Sequence, residues 1–333
     1  MEFGLLGPLA VRSGEMALPV PPGNQRTLLA VLLLDAGRVV SLEDIAETLW
    51  GPARPPSATV TIRNYVKRLR QALGEAGRDR ISFRRHGYLI SVGEDELDVS
   101  RFANLLASAR AAARVGSWDQ AAVKAREALT LWRGEPLADI ESDALAVRER
   151  PRLAELRLQA VETRIEAELR LGRHDEVLAE TERLAADHPL REHLHALLML
   201  ALYRCGRQAE ALAAYQQARA VLIEELGAGP GAELCELQQQ ILAADPVLDF
   251  RPQASAGGTR PDRRAGRRCR ASCRWRWLTS PAGPANSWRW PDRGCRRGRD
   301  AGNGRDLGDR RDGGGGQDGA GAVLGASGRR QVR

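Results

Sequence analysis

The spacing of hydrophobic positions changes period several times along the chain. Three short runs, Phe3 to Leu6, Leu9 to Arg12 and Met16 to Val20, are separated by Gly-Pro and Ser-Gly turns and predict a small opening β-meander. Helical spacing follows. Thr27 to Leu34 is a dense apolar run that stops at Ala36-Gly37, and Ser41-Leu-Glu-Asp44 reads as a capping box opening a helix to Trp50, which Gly51-Pro52 closes. A third helix is predicted from Ser57 to Leu73, closed by Gly74. Ile81 to Arg84 and Tyr88 to Val92 then flank Arg85-His86-Gly87 as a β-hairpin.

From Asp98 to about Ala244 only helical spacing is present, and it repeats. Gly116-Ser-Trp-Asp-Gln-Ala-Ala, Gly172-Arg-His-Asp-Glu-Val-Leu and Gly206-Arg-Gln-Ala-Glu-Ala-Leu each open a helix; the last two lie 34 residues apart, the tetratricopeptide (TPR) period. The first interval is 56 residues, so an irregular insertion around Trp132-Arg-Gly-Glu-Pro136 is expected between them. One helix pair cannot bury its apolar stripe alone, so stacked neighbours supply the missing face. The fold class is therefore mainly α: an N-terminal winged helix-turn-helix (α+β) over residues 1–96, an all-α TPR-like domain over 98–248, and a tail over 249–333.

The third helix carries the chemistry. Ile62, Val66, Leu69 and Leu73 form one buried stripe, which turns Arg63, Asn64, Lys67, Arg68, Arg70 and Gln71 outward. Arg and Lys donate to guanine O6 and N7, Asn pairs with the adenine edge, and further arginines neutralise phosphates. On this reading Arg63, Asn64 and Lys67 touch base edges, while Arg68, Arg70, Arg84 and Arg85 mainly hold phosphates. Between Arg54 and Ile90 there are nine Lys/Arg against two acids, Glu75 and Asp79. A basic amphipathic helix by itself is more often a solvated face, and the competing reading is a TPR-type protein-binding scaffold. The capped helix just before it and the hairpin just after it, with Arg84, Arg85 and His86 at the tip, turn the balance toward a helix-turn-helix with a basic wing on double-stranded DNA.

Charge is unevenly distributed. Lys plus Arg against Asp plus Glu is 12 to 12 over residues 1–100, 18 to 24 over 101–250, and 20 to 7 over 251–333, so the overall net charge of +7 comes from the tail and says little about DNA. The acidic helical domain is a poor DNA ligand and calls for a protein partner. Met1-Glu2-Phe3-Gly4 opens no signal peptide, and no run approaches 18 apolar residues, so a cytoplasmic protein with no membrane partner is expected. Cys205 and Cys235 stand singly in helical patterns and Cys269, Cys273 and Cys295 lack CxxC spacing, which suggests a reducing compartment with neither disulfides nor a zinc site. His188, His193 and His195 do not argue for a metal, because the close pair, two residues apart, points to different helix faces. Trp118 and Trp132 are expected in helices, in the core. No nucleophile, base and orienter occur in a catalytic motif, so neither an enzyme nor a cofactor is expected.

The opening Phe3-Gly-Leu-Leu-Gly-Pro-Leu9, Leu42-Glu-Asp-Ile-Ala-Glu-Thr-Leu-Trp50, Tyr65-Val-Lys-Arg-Leu-Arg70 and His86-Gly-Tyr-Leu89 together resemble the streptomycete antibiotic regulatory proteins, whose winged helix is of the OmpR type. Asp98-Val-Ser-Arg-Phe102 and Leu131-Trp-Arg-Gly-Glu-Pro-Leu137 look like landmarks of that family's bacterial transcriptional activation domain. The resemblance covers roughly residues 1–250. It implies an activator of a secondary-metabolite or similar gene cluster that binds direct repeats near a promoter and contacts RNA polymerase; whether it binds DNA as a homodimer is left open.

Residues 251–333 hold 17 Gly and 20 Arg but no Lys, Glu, Ile, Phe, Tyr, Met or His. Such a composition cannot build a packed core and reads as disordered. It is either a nucleic-acid-binding tail with interleaved tryptophans or a GC-rich gene translated out of frame. Any codons for Gln317-Asp318, shifted by one base, encode Lys or Arg followed by Thr or Met, and suitable codons for residues 308–319 then spell a P-loop, Gly-x-x-x-x-Gly-Lys-Thr. Larger relatives in the family continue into such an ATPase module, so a truncated form of a larger regulator is a further alternative. The tail as written lacks the P-loop lysine, and no nucleotide binding is expected.

Overall fold

The computed structural model describes residues 1–250. The tail readings above lie outside the described residues. The chain opens with β1 (Glu2–Gly4), β2 (Ala10–Ser13) and β3 (Met16–Ala17), an antiparallel meander in which Phe3 pairs with Val11 and Arg12 with Ala17. α1 (Asn24–Leu34) follows and buries Leu28, Leu29, Leu32 and Leu33 completely. α2 (Leu42–Trp50) begins where expected: the Ser41 hydroxyl accepts the Asp44 N–H at 3.0 Å. The Asp44 carboxylate answers the Ser41 hydroxyl at 2.6 Å, while Ser41 itself lies in a strand that the hydrophobic pattern did not reveal. That strand, β4 (Val40–Ser41), is two residues long, too short to show alternation, and owes its existence to pairing with the hairpin.

α3 (Ala58–Ala72) and a single-turn α4 (Gly74–Arg78) lead to the hairpin of β5 (Ile81–Arg84) and β6 (Gly87–Ile90). The second sheet has the order β4-β6-β5, with Phe83 opposite Tyr88 and Val40 opposite Tyr88 on the other edge. Gly87 is required here, because a Cβ on it would fall on the Val40 carbonyl oxygen.

Seven further helices complete the described residues: α5 (Asp98–Arg114), α6 (Trp118–Thr130), α7 (Asp143–Arg170), α8 (His174–Asp187), α9 (Glu192–Arg204), α10 (Gln208–Leu226) and α11 (Ala232–Leu242). The three repeated glycines, Gly116, Gly172 and Gly206, each have φ between 75° and 81°, and the next helix starts two residues later. Glycine reaches this left-handed region without a Cβ penalty, so the same turn recurs wherever the repeat does. Behind these turns Ile165, Leu169, Leu194, Met199, Leu202, Ala218 and Ile241 make a second core of stacked hairpins.

The irregular insertion is a clasp. Trp132 lies just beyond α6 and outside any helix, contrary to expectation, because the chain leaves the helix to reach the meander. The Trp132 ring stands edge-on to Phe102 at 5.5 Å beneath the Arg157 guanidinium. Trp118 does open a helix, yet it is only half-buried beneath Arg170. The Arg133 N–H donates to the Leu6 carbonyl at 2.8 Å, the Leu137 N–H to those of Leu5 and Gly7, and the Ser142 hydroxyl to the Thr48 carbonyl at 2.7 Å. Asp98, 9% exposed, accepts the N–H groups of Leu5 and Leu6 at 2.8–3.0 Å. Arg26 pairs with Asp139, which also accepts the Leu9 N–H at 2.7 Å. One hydrophobic core therefore runs from Phe3 and Leu28 through Ile62 and Ile90 to Phe102, Leu137 and Leu153. At the same junction the Arg80 guanidinium, at 2.5 and 2.7 Å, holds the Glu96 carboxyl down to about 2; the Gly93 N–H and the Met1 ammonium assist, and burial opposes them.

Candidate nucleic-acid interface

The two helices of the helix-turn-helix are joined by a single 3-10 turn, Gly51–Ala53, and by Pro55-Pro56, after which the Ala58 N–H returns to the Pro55 carbonyl at 3.0 Å. Proline restricts the residues before it and ends α2 without a long loop. The Trp50 and Tyr65 rings, 6.4 Å apart, set the packing of α2 on α3. Ala58, Ile62, Val66 and Leu69 are buried, with Leu73 just beyond. Burying a side chain of this size contributes roughly 1.5–3 kcal/mol, so the stripe fixes the rotation of α3 firmly.

The rotation leaves Arg63, Asn64, Lys67, Arg68 and Gln71 exposed. α3 contains no acid, and its first turn presents N–H groups with no carboxylate nearby in sequence. Among the described residues, Arg63, Lys67 and Arg68 make no ion pair, and neither do Arg84 and Arg85 in the hairpin. The tip is formed by Arg85, at φ 53°, and His86; Arg84, Arg85 and His86 are all exposed. Phe83 stands beside them, 47% exposed, its ring edge-on to buried Tyr88 at 5.2 Å.

Arg70 departs from the outward face expected of it. Its Nε and Nη2 donate to the Ile81 carbonyl at 3.1 and 2.6 Å, and the side chain is half-buried. The reason is the helical period: Arg70 follows Leu69 directly and borders the buried stripe, where the incoming strand β5 offers an otherwise unpaired carbonyl. Its guanidinium ties α3 to the wing. Conversely, Val60 is 57% exposed on the same face as Arg63, Asn64 and Lys67. Its position two residues before Ile62 was the signal that it points away from the core. Val60 is thus an exposed methyl-bearing side chain on the otherwise polar face of α3.

Two family models match the chain: "Transcriptional regulatory protein, C terminal" over residues 21–90, and "Bacterial transcriptional activator domain" over residues 97–242. Regulatory protein DnrI of Streptomyces peucetius is 37% identical over 75% of this chain and 94% of its own length. The chain belongs to the streptomycete antibiotic regulatory protein family of transcriptional regulators. Regulatory protein AfsR of Streptomyces griseus is 43% identical over 74% of this chain, which spans only 25% of that protein. A solved structure of Mycobacterium tuberculosis EmbR in complex with low affinity phosphopeptide superposes with a TM-score of 0.70 at 34% identity, covering 74% of this chain and 65% of EmbR. The mainly α architecture and the winged-helix region are thus those of the family. No helix among the described residues is long and apolar enough to cross a membrane.

Proposed function

We propose that the protein is a cytoplasmic, sequence-specific DNA-binding activator of a secondary-metabolite or similar gene cluster. Residues 1–96 read promoter direct repeats, and residues 98–248 contact RNA polymerase. The observation that carries this reading is the exposed face of α3 and the wing, whose five cations Arg63, Lys67, Arg68, Arg84 and Arg85 have no carboxylate partner among the described residues. Cations left unpaired on a well-packed helix are available to an anionic ligand, and spacing by helical turns matches a major groove. Arg63, Asn64 and Lys67 are assigned to base edges, and Arg68, Arg84 and Arg85 to phosphates. Arg70, which takes the Ile81 carbonyl, orients the wing instead. No chemistry beyond binding is assigned to the chain.

Site selection with the full chain, followed by a footprint on the enriched sequence, tests the proposal. The expected result is protection of repeated half-sites and a preference that survives moderate salt. A scaffold whose basic helix is only solvated would show retardation without sequence preference.

A second reading has its own support: the chain spans only a quarter of the length of AfsR, as a truncated form of a larger regulator would. Sequencing the gene would then find an ATPase-encoding frame one base out of register downstream of about codon 246. An alternate frame crowded with stop codons rejects it.

A further inference from the structure

Three side chains with metal-ligating atoms meet away from the DNA-reading face, where the start of α8 faces the end of α9. One ring nitrogen of His174, a carboxylate oxygen of Asp175 and the Cys205 Sγ all lie within 4.8 Å of one another, and Sγ is 3.1 Å from Asp175 Oδ1. We propose that His174, Asp175 and Cys205 form a binding site for a divalent transition metal, with zinc the best match.

The donor set is the first argument. One imidazole nitrogen, one carboxylate oxygen and one thiolate sulfur suit a borderline-soft ion; magnesium and calcium select oxygen alone. Metal–ligand bonds of about 2.0–2.3 Å in a tetrahedron put neighbouring donor atoms roughly 3.5 Å apart, so side-chain adjustments on the order of an ångström close the site. The second argument is an orphan. His174 Nδ1 is buried and has no hydrogen-bond partner among the described residues. A buried imidazole nitrogen without a partner is costly unless something occupies it.

The backbone supports the cluster. His174 and Asp175 are the first two residues of α8 behind the Gly172 turn, and Cys205 caps α9 ahead of the Gly206 turn. All three are thus fixed by helix ends, in the same repeated turn geometry. Asp175 is exposed, and His174 borders a cleft of about 310 Å³ together with Gly206 and Asp249, so solvent reaches two of the three ligands. Three protein ligands leave the fourth position of a tetrahedral ion to water or an anion. The site was hidden in the sequence because His174 and Cys205 are 31 residues apart and no spacing motif links them.

The test uses the full chain with Cys269, Cys273 and Cys295 replaced by Ser, so that the tail contributes no thiolate. Titration with zinc should show one equivalent bound, with proton release as the thiol ionises. Cobalt should give the visible bands of a tetrahedral ion and a thiolate charge-transfer band. Cys205→Ser should abolish the charge-transfer band, and Asp175→Asn and His174→Ala should weaken zinc by about a hundredfold or more, above the loss typical of an outer-shell partner. Unchanged helical circular dichroism and unchanged DNA site preference in each variant would show that the fold survives. Zinc that binds no better to the parent than to Cys205→Ser, or a cobalt spectrum that stays octahedral and lacks a sulfur band, would overturn the proposal.

Discussion

The reading face and the helical domain treat arginine in opposite ways. In the helical domain most cations are matched: Glu168, 3% exposed at its side chain, receives Arg126 and Arg173, and Arg191 spans Glu162 at 2.5 Å and Glu155 at 2.7 Å. These contacts drive the Arg191 guanidinium further toward its charged form and hold the Glu155 carboxyl below its ordinary range, chiefly through Arg191. On α3 and the wing, five cations stand with no such partner among the described residues. Two acids at the junction are engaged within the fold instead: Glu96 takes Arg80 and Asp98 takes backbone N–H groups. Arginine that is matched inside a domain stabilises that domain, whereas arginine left unmatched contributes little to folding and is free for a ligand. Total charge would have hidden this, since the first 100 residues are neutral.

The largest effect is expected at the junction on which the comparison depends. Asp98→Ala removes the acceptor of two buried N–H groups and a contact to Arg133. With about 1.5–3 kcal/mol per charge-assisted bond, destabilisation of about 3 kcal/mol should appear in urea unfolding, with the reading region and α5–α7 losing structure together. Two separate transitions in the parent chain would contradict the shared core.

Glu168→Ala comes next, at about 2 kcal/mol, because two arginines lose a buried partner yet remain exposed enough to be rehydrated. Site preference on DNA should not change. A variant as stable as the parent would mean that the pairing in the helical domain is ornamental.

On the reading face the pattern inverts. Asn64→Ala and Arg84→Ala should each alter stability by no more than about 0.5 kcal/mol. Asn64→Ala should relax preference at one base pair by roughly 1–3 kcal/mol, whereas Arg84→Ala should weaken all sequences alike and flatten the salt dependence by about one unit. Binding-site selection at two salt concentrations separates them, and the reverse outcome would exchange their roles.

The smallest effect is a pH dependence. The Glu96 carboxyl is depressed to about 2 in the folded chain, below its ordinary 4.5. Its contribution is therefore fully present above the ordinary value and is lost as pH falls from about 4.5 toward 2. Denaturant titrations at pH 6, 4 and 3 should show Glu96→Gln narrowing the gap to the parent as acid is added. A gap that widens toward acid would reverse the sign of the coupling.

The hydrophobic period and the turn residues determined much of this protein. The stripe from Ile62 to Leu73 set the rotation of α3 and, with it, the exposure of Arg63, Asn64, Lys67 and Arg68; the repeated glycines marked the helical turns at Gly116, Gly172 and Gly206. These are local matters, decided by neighbours within one or two turns. Tertiary structure decided the rest. Arg70 sits at the border of the stripe, and only the arrival of the Ile81 carbonyl drew it inward. Strand β4 exists because β6 lies beside it, and Trp132 left its helix because the segment after it had the meander to hold. His174 and Cys205 met only when α8 was laid against α9. In each case the partner lies tens of residues away. A periodic pattern records which side of an element is buried and carries no information about which distant backbone group or side chain will be waiting there.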